Sequence, residues 1–242
     1  MPDEGMASIV MDEQNATHVH GERLLSAVER LVDDSEALVA EVEAFKEDVV
    51  TTEGPLRMDA VAARIIRTYS NRSAFAGGVS ALPSLLPGGG TLVALIGGSL
   101  ADMTMMLKYE VEMSLCLTHA YGYDIREERA RWLGYTLAAV NTYEVSSGRN
   151  FFVDLAEAQL EAMNRYTPRQ LSKLVITAFG KYALLASSKA FVRALPFVGI
   201  AVSASTNKIL MRSVGWRCVD ALDRLRNTEA HDPGATVDAE VI

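Results

Sequence analysis

From Ser73 to Ala101 the chain runs for 29 residues without one charged side chain. A run of that length meets the criterion for a membrane-crossing helix. It contains, however, Gly77, Gly78, Pro83, Pro87, Gly88, Gly89, Gly90, Gly97 and Gly98. The cluster from Pro83 to Gly90 cannot continue a helix, because proline has no amide hydrogen to give and glycine loses the most backbone entropy. Two arms of about ten residues remain, each about 15 Å long if helical, or about half a hydrocarbon core. Neither arm spans. The run therefore folds either as a re-entrant or interfacial hairpin in one leaflet, with Leu85 and Leu86 as lipid-facing candidates, or as an apolar hairpin buried in a soluble fold. A second charge-free stretch, Ala194 to Asn207, includes Phe197 and Val198; its 14 residues are again too few to span.

Outside these runs the apolar pattern is helical almost throughout, and no period-2 alternation of useful length appears, so the expected fold is an all-α multi-helix bundle with two apolar Pro/Gly-containing hairpins. Leu24, Val28, Leu31, Ser35, Leu38, Val42, Phe45 and Val49 repeat with spacings of four and three, widened by Leu25, Val32 and Val39. This predicts one acidic amphipathic helix over 21–53, ended by Gly54-Pro55. A short helix follows over about 58–71. A long one runs from about Thr91 to Tyr121, stopped at Gly122. Asp124-Ile125-Arg126-Glu127 reads as a capping box for the next helix, which ends near Gly148. Another helix covers about 151–166. Thr167-Pro168-Arg169-Gln170 places a cap, a proline and a glutamine in the right order to start a helix that reaches about Ala194. A final helix uses Ile209, Val214, Trp216, Val219 and Leu222. Residues 1–20 and 228–242 lack periodicity and read as acidic disordered tails.

Charge divides the chain. The formal net charge is −8 with a mean hydropathy of +0.11, an unusual pairing for a soluble domain. Residues 1–53 hold 14 acids and 3 bases, whereas residues 54–227 hold 13 acids and 20 bases. Between Glu161 and Asp220 there is no acid in 58 residues, yet Arg165, Arg169, Lys173, Lys181, Lys189, Arg193, Lys208, Arg212 and Arg217 lie there. Such a segment attracts polyanions or an anionic leaflet, unless its bases pair with the acidic first helix. Aromatic residues make up only 7% of the chain and no nucleic-acid module fits, so a nucleic-acid partner is not expected.

Motifs for chemistry are missing. There is no Gly-x-Ser-x-Gly elbow, no phosphate-binding loop and no dinucleotide-type turn, and Gly88–Gly90 lacks the Lys and Ser/Thr of a phosphate cradle. His18 and His20 have no third metal ligand near them in the sequence, and the two cysteines, Cys116 and Cys218, sit in apolar-periodic stretches. No catalytic residue, metal or cofactor is expected. Asp102, the first charge after the long apolar run, aligns with Met106 and Glu110 at helical spacing and is the one candidate for a buried functional acid. Glu110 and Glu112, two apart, point in different directions.

Tyr121-Gly122-Tyr123-Asp124, preceded by a Pro/Gly-rich apolar segment and a helix beginning near Asp102, occurs together with Leu195-Pro196-Phe197-Val198-Gly199 and with Asn207, Arg212, Val214 and Gly215. Over about residues 57–226 this pattern resembles the EcsC protein family of bacteria, and related helical domains attached to some bacterial GTPases share it. The chain departs from the family after Gly199, where Ile200-Ala201-Val202-Ser203-Ala204-Ser205 replaces a second Gly-rich turn. The resemblance implies a helical, membrane-associated protein without an established reaction, in some cases linked to an ABC exporter system, and it supplies no catalytic residues.

The expected organisation is a tail over 1–20, the acidic helix over 21–53, an EcsC-like helical domain over 54–227 and a second tail over 228–242. The expected function is that of a non-enzymatic adaptor docked on an anionic membrane surface, on its cytoplasmic side because no secretory signal is visible. Its contacts would be Arg165, Arg169, Lys173, Lys181, Lys189 and Arg193 together with Leu85, Leu86, Phe197 and Val198. The alternative is a soluble helical module that buries both hairpins and binds a protein partner, or itself, through the 21–53 helix. An enzyme acting on lipid or peptide is the third reading.

Overall fold

The computed structural model describes residues 3–79, 98–149, 151, 166–187 and 204–231. The tip of the long apolar run, with Leu85 and Leu86, lies outside them, as do Arg165, Lys189, Arg193, Phe197, Val198, nearly all of the helix expected over about 151–166 and the stretch before Ala204. Among the described residues there are seven helices and no strand: α1 Asp3–Glu29, α2 Ser35–Glu53, α3 Met58–Val79, α4 Gly98–Ala120, α5 Glu128–Ser147, α6 Pro168–Ser187 and α7 Ala204–His231. The chain is an all-α bundle. No helix among the described residues is long and apolar enough to cross a membrane.

Helices α4 and α5 form the centre. In α5 every residue from Leu133 to Thr142 is buried, and in α4 every residue from Glu110 to Thr118. Such all-round burial requires neighbours on several sides: α4 packs on α1, α2, α3, α5 and α7, and α5 on α4, α6 and α7. Each fully buried Leu, Ile or Phe there contributes about 1.5–3 kcal/mol relative to exposure.

The acidic N-terminal segment differs from its expected form in two ways. It is two helices, not one, because local capping outcompetes the heptad rhythm at Asp33-Asp34-Ser35. Asp34 stands outside the helix with extended backbone, and its Oδ1 accepts the Ala37 N–H at 2.9 Å. The Asp33 N–H just before it donates to Glu112 Oε1 of α4, also at 2.9 Å, and Ser35 Oγ donates to the Ile125 carbonyl at 3.1 Å. The chain is thus fixed at the bend from both sides. Nor is the segment a separate unit, since Leu24, Val28, Leu38, Val42 and Val49 are buried in one continuous core with the rest. Helix α1 also begins at Asp3, within the stretch expected as a tail, and α7 extends to His231, past the expected start of the other.

The crossing of α1 and α6 depends on two glycines. A Cβ on Gly21 would stand 1.9 Å from the Ile176 carbonyl oxygen, and one on Gly180 would stand 1.9 Å from that of Thr17. Only hydrogen atoms fit there, so the two backbones meet directly.

Helix boundaries are mixed in outcome. The box at Thr167 forms as expected: Gln170 N–H donates to Thr167 Oγ1 at 3.3 Å, and Thr167 N–H to Gln170 Oε1 at 2.9 Å. Gly122, with φ of 102°, ends α4 as expected. The box at Asp124 does not form. There Asp124 Oδ1 accepts the Arg126 N–H at 3.1 Å and its carbonyl accepts that of Glu127, making a turn, and α5 starts only at Glu128. Helix α3 runs to Val79 rather than about residue 71, since no proline intervenes before Pro83 and Ser70 and Ser73 are buried.

Candidate functional site

The bases of the molecule fall into two sets. Several of those before residue 127 are matched to acids of α2 and its surroundings. Arg64 pairs with Asp48 at 2.7 Å, Arg72 with Glu41 at 2.5 Å and Arg126 with Glu36 at 2.7 Å, while Arg57 chelates Asp59. The Arg126 hydrogen bond holds the Glu36 carboxyl below the usual range. Lys108 pairs with the buried Glu112 at 2.6 Å, and burial raises the Glu112 carboxyl against that pairing.

The second set belongs to the acid-free stretch. Arg169 and Lys173 are exposed one turn apart on α6, opposite the face that buries Leu171, Val175, Ala178 and Phe179. Among the described residues neither has a carboxylate partner, nor do Lys208 and Arg212 of α7. Only Arg217 is matched, to Glu144 Oε2 at 2.6 Å. Lys181, eight residues beyond Lys173 on α6, is drawn back to the protein: its ammonium sits 4.9 Å from the Phe151 ring centroid and 6.0 Å from that of Tyr143. Of the basic residues expected at a membrane, the structure therefore presents Arg169 and Lys173 to the outside and turns Lys181 partly inward. Among the described residues, the acidic first segment forms no ion pair with them. Its α1 meets α6 through glycines, not ion pairs.

The only buried acids among the described residues are Glu110 and Glu112. Glu110 Oε2 accepts a hydrogen bond from Thr142 Oγ1 at 2.6 Å. Burial pushes its carboxyl up to about 7 against the opposing effect of that bond. Beside it, burial and the proximity of Glu110 raise the Tyr182 hydroxyl. Cys218 Sγ lies 3.4 Å from Asn141 Nδ2 and 3.7 Å from Ser114 Oγ, whose own hydroxyl donates to the Gly134 carbonyl at 2.8 Å. Burial pushes the Cys218 thiol up to about 12, and the Cys116 thiol, beside Tyr69, higher still. Both thiols are free and protonated, hence poor nucleophiles. This polar seam between α4, α5, α6 and α7 is closed to solvent and holds the helices in register.

Asp102 lies near the start of α4, with its side chain outside the described residues; Met106, on the same stripe, is half-buried. Glu110 and Glu112 diverge as their spacing requires, one toward α5 and the other toward the α1–α2 bend. His119 Nδ1 lies 3.3 Å from the Tyr123 carbonyl at the end of α4. Among the described residues no three His, Cys, Asp or Glu side chains gather to hold a metal.

Helix α7 corrects one further expectation. Val214, Val219 and Leu222 are buried as expected, but Ile209 and Trp216 are 64% and 45% exposed. The buried seam is Met211, Val214, Cys218, Leu222 and Leu225, which is complete at spacings of three and four without them. Separating that seam from Ile209 and Trp216 was the signal available in the sequence. Comparison of the chain with protein families, with curated proteins and with solved structures finds no match, so geometry and chemistry alone carry the functional reading.

Proposed function

We propose that the protein is a non-enzymatic helical adaptor that docks on an anionic membrane surface at the cytoplasmic face of the cell membrane. The observation that carries this reading is the exposed pair Arg169 and Lys173, one turn apart on α6 and without a carboxylate partner among the described residues, whereas Arg64, Arg72 and Arg126 are paired with acids of α2. Unpaired bases one turn apart suit phosphate headgroups, and each contributes about 1 kcal/mol near an anionic leaflet. The charge-free runs Ser73 to Ala101 and Ala194 to Asn207 would supply the apolar contacts.

A partner-binding module acting through residues 21–53 has less to support it. The apolar seam of that segment is taken up by the core, which leaves Val19 and Val50 as the large exposed apolar residues described on α1 and α2. Flotation of the full chain with vesicles tests the proposal. It should rise with vesicles containing phosphatidylglycerol, stay down with pure phosphatidylcholine and be released by raised salt. Recovery at the bottom of the gradient with both lipids would refute it.

A further inference from the structure

We propose that the first half of α7 is a second membrane-contact element, in which Ile209, Arg212 and Trp216 form one stripe that seats on an anionic bilayer surface. This inference rests on the membrane reading above and extends it to a helix that was not among the membrane contacts expected from the sequence. The three residues recur at spacings of three and four, so they share one face, and all three are exposed. Ile209 offers an aliphatic tip. Trp216 has the amphipathic ring that settles at headgroup depth. Arg212, between them, has no ion-pair partner among the described residues and can reach a lipid phosphate.

Charge selects lipid as the occupant. From residue 204 to residue 219 the helix carries Lys208, Arg212 and Arg217 and no acid. On the stripe itself the first acids are Asp220 and Asp223, both exposed, and they set its limit. The end of α7 nearer Ala204 therefore tilts toward the bilayer and the end nearer His231 away from it. That orientation continues in the sequence, since the charge-free stretch Ala194 to Asn207 leads into the same end of the helix. Area argues against a stable contact between two copies. Two partly exposed side chains offer roughly 250 Å², well below the about 800 Å² per partner of a standard protein interface.

The chain has two tryptophans, and the other, Trp132, is half-buried against Tyr135. Trp132→Phe therefore leaves Trp216 as the only indole. Its emission should shift to the blue with vesicles containing phosphatidylglycerol and be quenched by brominated acyl chains. Independently, Ile209→Ser with Trp216→Ser in the otherwise unchanged chain should weaken vesicle affinity by about tenfold or more, with helicity unchanged because both positions are exposed. If the chain binds vesicles while Trp216 emission and quenching stay constant and the double variant binds equally well, this inference fails and the α6 reading stands. If the chain binds no anionic vesicle, both fail. A Trp216 shift that follows protein concentration without lipid, and that vesicles do not add to, would assign the stripe to a second copy and overturn the inference.

Discussion

Glu110 shows how the fold imposes a protonation state. Its carboxyl titrates near 7 in the folded chain, against an ordinary value of 4.5, because burial penalises the anion more than the Thr142 hydroxyl rewards it. The folded state thus holds the proton more tightly than the unfolded one. Stabilisation from this group is full below about 4.5 and is lost as pH rises through about 7, a change of about 3 kcal/mol in all. Glu112, raised by burial as well, acts with the same sign. Replacing Glu110 by Gln keeps an acceptor for Thr142 without the charge. The variant should therefore lose much of the fall in urea midpoint that the natural chain shows between pH 5 and pH 8, and identical slopes in the two proteins would contradict this. The divergence of Glu110 and Glu112 was legible from their spacing of two. Their shared burial was not, because a carboxylate reads as a surface group until the neighbours that cover it are known.

At the scale of elements, the helices whose start depends on side chains near in sequence were read best. Thr167 and Gln170 satisfy each other's backbone, so that start needs no tertiary help. At Asp124 the same residue types satisfy a turn, and the sequence alone does not separate the two outcomes. The bend between α1 and α2 was hidden because the apolar rhythm continues across it, while the acceptor for the Asp33 amide is 79 residues away on Glu112. Long-range contact also explains Gly21 and Gly180. Nothing near either glycine announces a crossing, yet each would drive a Cβ into a carbonyl oxygen on the other helix. Gly180→Ala should accordingly cost about 1–3 kcal/mol in chemical denaturation, because backbone cannot give way as a side chain tip can. A midpoint unchanged within error would show that α1 and α6 separate freely.

For the whole molecule, the net charge of −8 conceals an internal division. Acids of α2 are matched to Arg64, Arg72 and Arg126, while among the described bases after Glu161 Arg169 and Lys173 face outward, Lys181 lies against aromatic rings and Arg217 pairs with Glu144. Helical periodicity without any alternation made the all-α bundle legible, and the charge count made the base-rich stretch after Glu161 legible. Which bases stay unpaired was not legible, because pairing depends on the three-dimensional path of α2. In the proposed function, membrane attraction resides in that unpaired set. The most direct test is the partition of the full chain onto vesicles containing phosphatidylglycerol, compared with its Arg169→Gln, Lys173→Gln variant. Loss of two headgroup contacts of about 1 kcal/mol each predicts affinity lower by about 30-fold with helicity unchanged. Equal partition of the two proteins would contradict the account.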